Sequence, residues 1–136
     1  MANEAQLRDW LDDPIDFIVA DGTAITRGTL LTLTDPRTAI ATTAAGAKIA
    51  GIAARDKIAS DGRTRLAVFR RGIFDMVACG SISVGNAVVA VNHDNYVKEA
   101  IGVLGANSGA TIIGHALETA SAAERIQVWV DIGAGV

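Results

Sequence analysis

The chain has 136 residues, half of them apolar but only 4% aromatic, with a net charge of −3 and a single cysteine. That length suits one ordinary domain, a lone cysteine excludes an intramolecular disulfide, and an acidic balance does not suit a nucleic-acid partner, which asks for a basic excess on one face. An interior of Ala, Val, Ile and Leu buries little area per side chain, at ~25 cal/mol per Å², so burial against sister subunits is expected to supplement the core.

The N-terminus is acidic: Glu4, Asp9, Asp12, Asp13 and Asp16 against Arg8 give residues 1–16 a net charge of −4 and leave +1 for the remainder. It lacks the apolar stretch of a signal peptide. Residues 3–12 carry the one helix signal, with Asn3 as cap, Gln6 three residues on, and Leu7, Trp10 and Leu11 at i, i+3 and i+4 before Asp13-Pro14 stops the run. A helix that short is marginal alone in water. Its apolar stripe must dock on the rest of the chain or a neighbouring subunit, or order against a partner surface with Trp10 as anchor. We therefore read residues 1–14 as an arm and residues 15–136 as a single β-domain.

From Ile15 the sequence turns to β. Ile15–Val19 is a strand, Ala20-Asp21-Gly22 a turn, and Leu30–Leu33 the next strand. Asp35-Pro36 marks a type I turn. Residues 38–48, rich in Ala and Thr, are too poor in large apolar groups for a core and read as an exposed loop. Ile49–Ala54 is a strand and Ser60-Asp61-Gly62 a hairpin-type turn. Residues 63–75 are the most strand-like passage: Leu66 and Val68 share one face, Ala67 and Phe69 the other, so burial on both sides is expected. A bent or new strand continues through Val77, and Cys79 reads as a small core residue. The uncharged run 76–93 is interrupted by Gly80, Ser81, Ser83, Gly85, Asn86 and Asn92, which excludes a membrane span. Ile82–Val91, the turn at 92–95 and Tyr96–Ala100 form a hairpin. Residues 102–109 are a small-residue loop, Thr111–Leu117 a strand, and Arg125–Ile132 the closing strand, with a frayed end after it.

The β pattern occurs twice. Ile25-x-x-Gly28 and the apolar run after it return as Ile82-x-x-Gly85; Gly51-Ile52-Ala53 returns as Gly114-His115-Ala116; and the strand around Val68 returns around Val128. Two copies are too few for a solenoid, whose units need several neighbours. The reading is an all-β fold, a small β-barrel or β-sandwich with internal duplication.

Chemistry is sparse. There is no Gly-x-Ser-x-Gly, no Gly-x-Gly-x-x-Gly, no phosphate loop and no His or Cys pair at metal-ligand spacing. His93 lies in a turn, and His115, between Gly114 and Ala116, reads as core or interface packing. Asp21, Asp35, Asp61 and Asp94 sit at turns, where Asx hydrogen bonds explain them. Arg63, Arg65, Arg70 and Arg71 alternate with apolar residues, as a solvated strand edge or subunit-interface charges would. No enzyme activity, cofactor or metal is expected.

Ala20-Asp21-Gly22 with Ile25-x-x-Gly28-Thr29-Leu30-Leu31, the Asp35-Pro36-Arg37-Thr38 turn, Gly51-Ile52-Ala53, Gly72-Ile73-Phe74-Asp75 and Ile82-Ser83-Val84-Gly85 resemble the small capsid decoration, or cement, proteins of tailed viruses of bacteria and archaea, over residues 17–132. The resemblance implies a compact β-tulip or β-clip-like domain without enzymatic activity. Such a protein sits as a homotrimer on the outer surface of the mature capsid and stabilises it against internal pressure. It also implies an N-terminal arm on the major capsid protein, a place in the virion reached through the host cytoplasm, and no nucleic-acid or membrane partner. On this reading Leu7, Trp10 and Leu11 contact the shell or a sister subunit, and Arg63, Arg65, Arg70 and Arg71 are interface charges. The helix-like residues 1–14 depart from the extended arm of that group. Rival readings are a trimeric β-fold nucleotide hydrolase of the deoxyuridine triphosphatase type, whose motifs are missing, and a fibre or receptor-binding module, which would expose clustered aromatics.

Overall fold

A computed structural model describes residues 3–91, 95–100 and 111–132. Among them the chain forms eleven strands: β1 (Gln6–Trp10), β2 (Ile15–Ile18), β3 (Leu30–Asp35), β4 (Thr38–Ala41), β5 (Ile49–Ala53), β6 (Arg65–Phe69), β7 (Arg71–Ala78), β8 (Ala87–Ala90), β9 (Tyr96–Glu99), β10 (Gly114–Ala116) and β11 (Arg125–Asp131). They close into two five-stranded barrels. The first runs β2-β4-β3-β5-β6, and the second runs β7-β11-β10-β8-β9, shut by a parallel pairing of β7 with β9; β1 is added to the outer edge of β7.

Each pairing of the first barrel has a counterpart in the second. Parallel β2–β4 matches β7–β9, and antiparallel β2–β6, β3–β4, β3–β5 and β5–β6 match β7–β11, β8–β9, β8–β10 and β10–β11. The bridge between Ile25 and Lys57 matches that between Ile82 and Ala120. Positive φ recurs at equivalent turns, at Gly28 (+89°) and Gly85 (+86°), Arg37 and Asn95, Ser60 and Ala123. The duplication read from the sequence is therefore present in three dimensions. At the second glycine pair the cause is contact: a Cβ on Gly51 would run into the carbonyl of Phe69, and one on Gly114 into the carbonyl of Trp129.

The alternation of side chains along each strand fills the barrels. Phe17, Val19, Ile25, Leu31, Ala39, Ala50, Ala53, Leu66 and Val68 form the interior of the first. The interior of the second, with Met76, Ile82, Val88, Val97, Ile113, Ile126 and Val128, is continuous with Leu30, Ile49 and Ile52 on the outside of the first. The two barrels meet there: the Leu30 N–H donates to the Asn95 side-chain oxygen at 2.8 Å, and the Gly46 N–H to the Ala90 carbonyl at 3.0 Å.

Several expectations are corrected. Residues 3–12 are not helical; Gln6–Trp10 is a strand. The register of β1 on β7 shifts between Leu7 and Asp9, so Leu7 lies opposite Phe74 and Trp10 opposite Gly72, which share a face. A bulge of one residue thus gives a strand the same-face i, i+3 spacing that a helix would give. Residues 38–41 are strand β4 rather than loop, with Ala39 in the barrel interior, where a small barrel has room only for short side chains, and the adjoining Thr42 buried on the other face against the Thr32 hydroxyl. Cys79 is exposed, since Ala78 before it takes the inward position. His115 is exposed between inward-facing Gly114 and Ala116. On β6, Leu66 and Val68 are buried while Ala67 and Phe69 are only half-buried. The turn residues 92–94, with His93 and Asp94, the loop 102–109 and residues 133–136 lie outside the described residues.

Candidate functional site

The N-terminal segment is fastened before it becomes β1. The Ala5 N–H donates to the Gly28 carbonyl at 2.8 Å, Ala5 is buried, and the Arg125 guanidinium donates to the carbonyls of Glu4 and Asp75, each at 3.2 Å. From there β1 runs along β7, with Arg8 reaching Asp75 at 3.4 Å. Its other edge has no strand partner among the described residues. A strand with one free edge presents unpaired N–H and C=O groups to any extended segment that approaches.

A groove of about 830 Å³ lies beside β1 and reaches the first barrel. Leu7, Trp10, Phe69 and Phe74 give it an apolar wall; the Trp10 and Phe69 rings meet edge-on at 6.0 Å, and those of Phe69 and Phe74 at 5.7 Å. Arg27, Arg55 and Arg125 supply positive charge against one carboxylate, Glu4. The Asp56 carboxylate accepts from the backbone amide of Arg27 at 2.7 Å and so sets that loop. Among the described residues the lining contains no histidine, cysteine or serine. Such an arrangement recognises by apolar contact and charge, and it has no nucleophile and base in hydrogen-bond reach of each other. Among the described residues no group of three or more His, Cys, Asp or Glu could hold a metal ion.

The residues singled out from the sequence divide. Leu7 and Trp10 line the groove, and Leu11 is exposed just beyond β1. The arginines do not form one patch. Arg70 and Arg71 line a second groove of about 500 Å³ with Asp12, Asp13, Ile15, Asp131 and Ile132, where Arg71 pairs with Asp12 at 3.1 Å and with Asp131 at 3.6 Å. Arg63 and Arg65 are exposed at the start of β6, towards the other end of the first barrel. Missing from the sequence reading were Phe69 and Phe74 as groove wall and Arg27, Arg55 and Arg125 as its charges. These come from five separate places in the chain, and only the double barrel brings them together.

Lys57 was also missed. Its side chain is 1% exposed, and its ammonium donates to the carbonyls of Asp21 and Ile58, at 2.8 and 2.7 Å, and to the carboxylates of Asp61 and Asp21, at 2.7 and 3.3 Å. Burial by itself pulls this amine down, but the hydrogen bonds and charges of Asp61 and Asp21 outweigh it and hold its pKa above the usual lysine value. The Asp61 carboxyl, bonded by Lys57 and by the Arg63 amide, is lowered to about 2. The cluster ties two turns together and is structural. Its signal in the sequence was the i, i+4 spacing of Lys57 and Asp61 immediately before the turn glycine Gly62.

The double barrel is a fold already seen in a phage head component. The crystal structure of the N base of head fiber gp8.5 in bacteriophage phi29 is similar with a TM-score of 0.53 and 14% sequence identity, covering 86% of this chain and 93% of that one. Comparison with curated proteins gives no match. The phage cement protein family matches residues 12–132, and the chain belongs to that family. It is a structural protein of the virion.

Proposed function

We propose that this protein binds the outer surface of the mature capsid as a homotrimer and stabilises it, meeting the major capsid protein with the groove beside β1. The observation that carries this reading is Trp10, which remains 61% exposed although it sits against Phe69 on a strand with a free edge. Exposed tryptophans on an aromatic base are the residues that most often dominate interface energies. The free edge suits an extended segment, and the arginines suit one that carries carboxylates. Many such contacts around a shell hold firmly through avidity. Membership of the cement family favours the capsid as the partner.

The test is co-sedimentation of the purified protein with expanded, undecorated heads. Saturable binding in multiples of three per lattice point is expected. Trp10→Ala should weaken it by about tenfold or more, the loss of a strong interface residue, while the circular dichroism spectrum stays unchanged. Undiminished binding of that variant would remove the groove from the contact. Removing residues 1–14 is a poorer test, because it also strips Ala5 from the core and β1 from β7.

A further inference from the structure

The repeat equates not only strands but also the surfaces through which the barrels meet. The mouth of the second barrel is formed by Phe74, opposite Val128, by Ala90, opposite Val97, and by Val130, all 0–1% exposed. It is closed by the side of the first barrel, where Leu30, Ile52 and Phe69 lie across from one another on β3, β5 and β6. Among the described residues the equivalent mouth of the first barrel is open. Ile15, opposite Val68, takes the place of Phe74 and is 41% exposed; Leu33, opposite Ala39, takes the place of Ala90 and is 38% exposed. Arg70 takes the place of Val130, and its Nε is buried without a hydrogen-bond partner.

Among the described residues the equivalent side of the second barrel is covered only at its Ala87 end, where Ala87 packs against Val89, Ala100 and Ile112. Ala87, His115 and Trp129 stand across from one another on β8, β10 and β11, in the places of Leu30, Ile52 and Phe69. The His115 and Trp129 rings are stacked at 6.1 Å, nearly parallel, with the imidazole exposed. One chain therefore carries one mouth-to-side junction already made, and the two halves of another that it cannot make with itself.

We propose that a second copy of this chain completes that junction: the His115–Trp129 side of one subunit closes the Ile15–Leu33–Arg70 mouth of the next. Ile15 then packs on Trp129 as Phe74 packs on Phe69. The Arg70 guanidinium, whose Nε lacks a hydrogen-bond partner, finds an aromatic face, an arrangement favourable for a cation. The two patches differ, so the contact is head-to-tail, and a rotation of one third of a turn per subunit closes it into the trimer. This rests on the homotrimer proposed above, and assigns its interface.

The experiment uses the full chain with Cys79→Ser as background. Ile15→Cys and Trp129→Cys together, treated with a short bismaleimide, should give covalent products up to the trimer, while either cysteine alone should give none. Ile15→Glu and Leu33→Glu, at half-exposed positions where the single chain tolerates charge, should require at least about tenfold more protein to assemble, as read by light scattering. Trimers that persist unchanged in both Glu variants, a trimer without the cross-link, or a monomeric wild type would each overturn the inference. Head co-sedimentation run in parallel separates the two proposals. Cross-linked trimers that ignore heads refute the capsid contact alone, and head binding with an unaltered trimer in the Glu variants refutes this interface alone.

Discussion

The two barrels share every strand pairing but close their far ends differently. In the first, five residues separate Val19 from Ile25 and six separate Lys57 from Thr64; in the second, three separate Ala78 from Ile82 and three separate Ala120 from Glu124. The longer loops need a tie, and the Lys57 ammonium supplies it through Asp21, Ile58 and Asp61. The shorter loops need none, so Ala120 fills the same place as a buried methyl group. The near ends differ in the opposite sense: the second barrel is plugged by the first, whose own mouth stays open. A repeated barrel specifies its strands with glycines and apolar alternation. What distinguishes the copies lies in loop length and in what each end touches.

The largest effects should fall on what the copies share. Gly51→Ala and Gly114→Ala each drive a methyl group into a neighbouring carbonyl, and a cost of about 4 kcal/mol or more is expected for both. Guanidinium unfolding, or loss from the soluble fraction, reads it; tolerance in one barrel alone would break the equivalence. Next comes the plugged mouth against the open one. Phe74→Ala should cost about 3–5 kcal/mol, while Ile15→Ala, at the equivalent exposed place, should stay within about 1 kcal/mol in the monomer.

Lys57→Ala should lower the melting temperature by several degrees, because two carboxylates and two carbonyls lose their buried donor. Ala120→Gly should shift it less. The same tie has a pH signature. The folded carboxyl of Asp61 lies near 2, below its ordinary 3.8. Its stabilisation is therefore complete above 3.8 and is lost as the pH falls from there through about 2. Melting curves between pH 5 and 2 should show a larger loss in the wild type than in Lys57→Ala, which keeps only the backbone hydrogen bonds to Asp61; parallel curves for the two would disprove the assignment. The smallest effect on stability is expected at Trp10→Ala, whose consequence should appear in head binding.

Much of this architecture was legible in the chain. Gly28 and Gly85, followed by apolar runs, announced the duplication, and period-two patterns around Leu66–Val68 and Ile126–Val128 announced the strands, because these signals are local: a turn needs its glycine and a half-buried strand needs its alternation wherever they fold. Leu7 and Trp10 were legible as a same-face pair in need of a partner. That they lie on a bulged strand was not, since the i, i+3 spacing fits a helix or a one-residue bulge equally, and only the open edge of β7 decides between them.

By itself, then, the sequence determined an all-β, duplicated chain with a small-residue interior and an amphipathic N-terminus. Tertiary structure alone decided that there are two closed barrels rather than one barrel or sandwich, and that Ala39 is core while Cys79 and His115 are surface. It also separated Arg70 and Arg71 from Arg63 and Arg65, and gathered Arg27, Arg55 and Arg125 around Trp10. The reason is physical. Local conformation follows from neighbours a few residues away, whereas burial, grooves and interfaces follow from which strands close on which, and that is set by contacts between residues far apart in the chain.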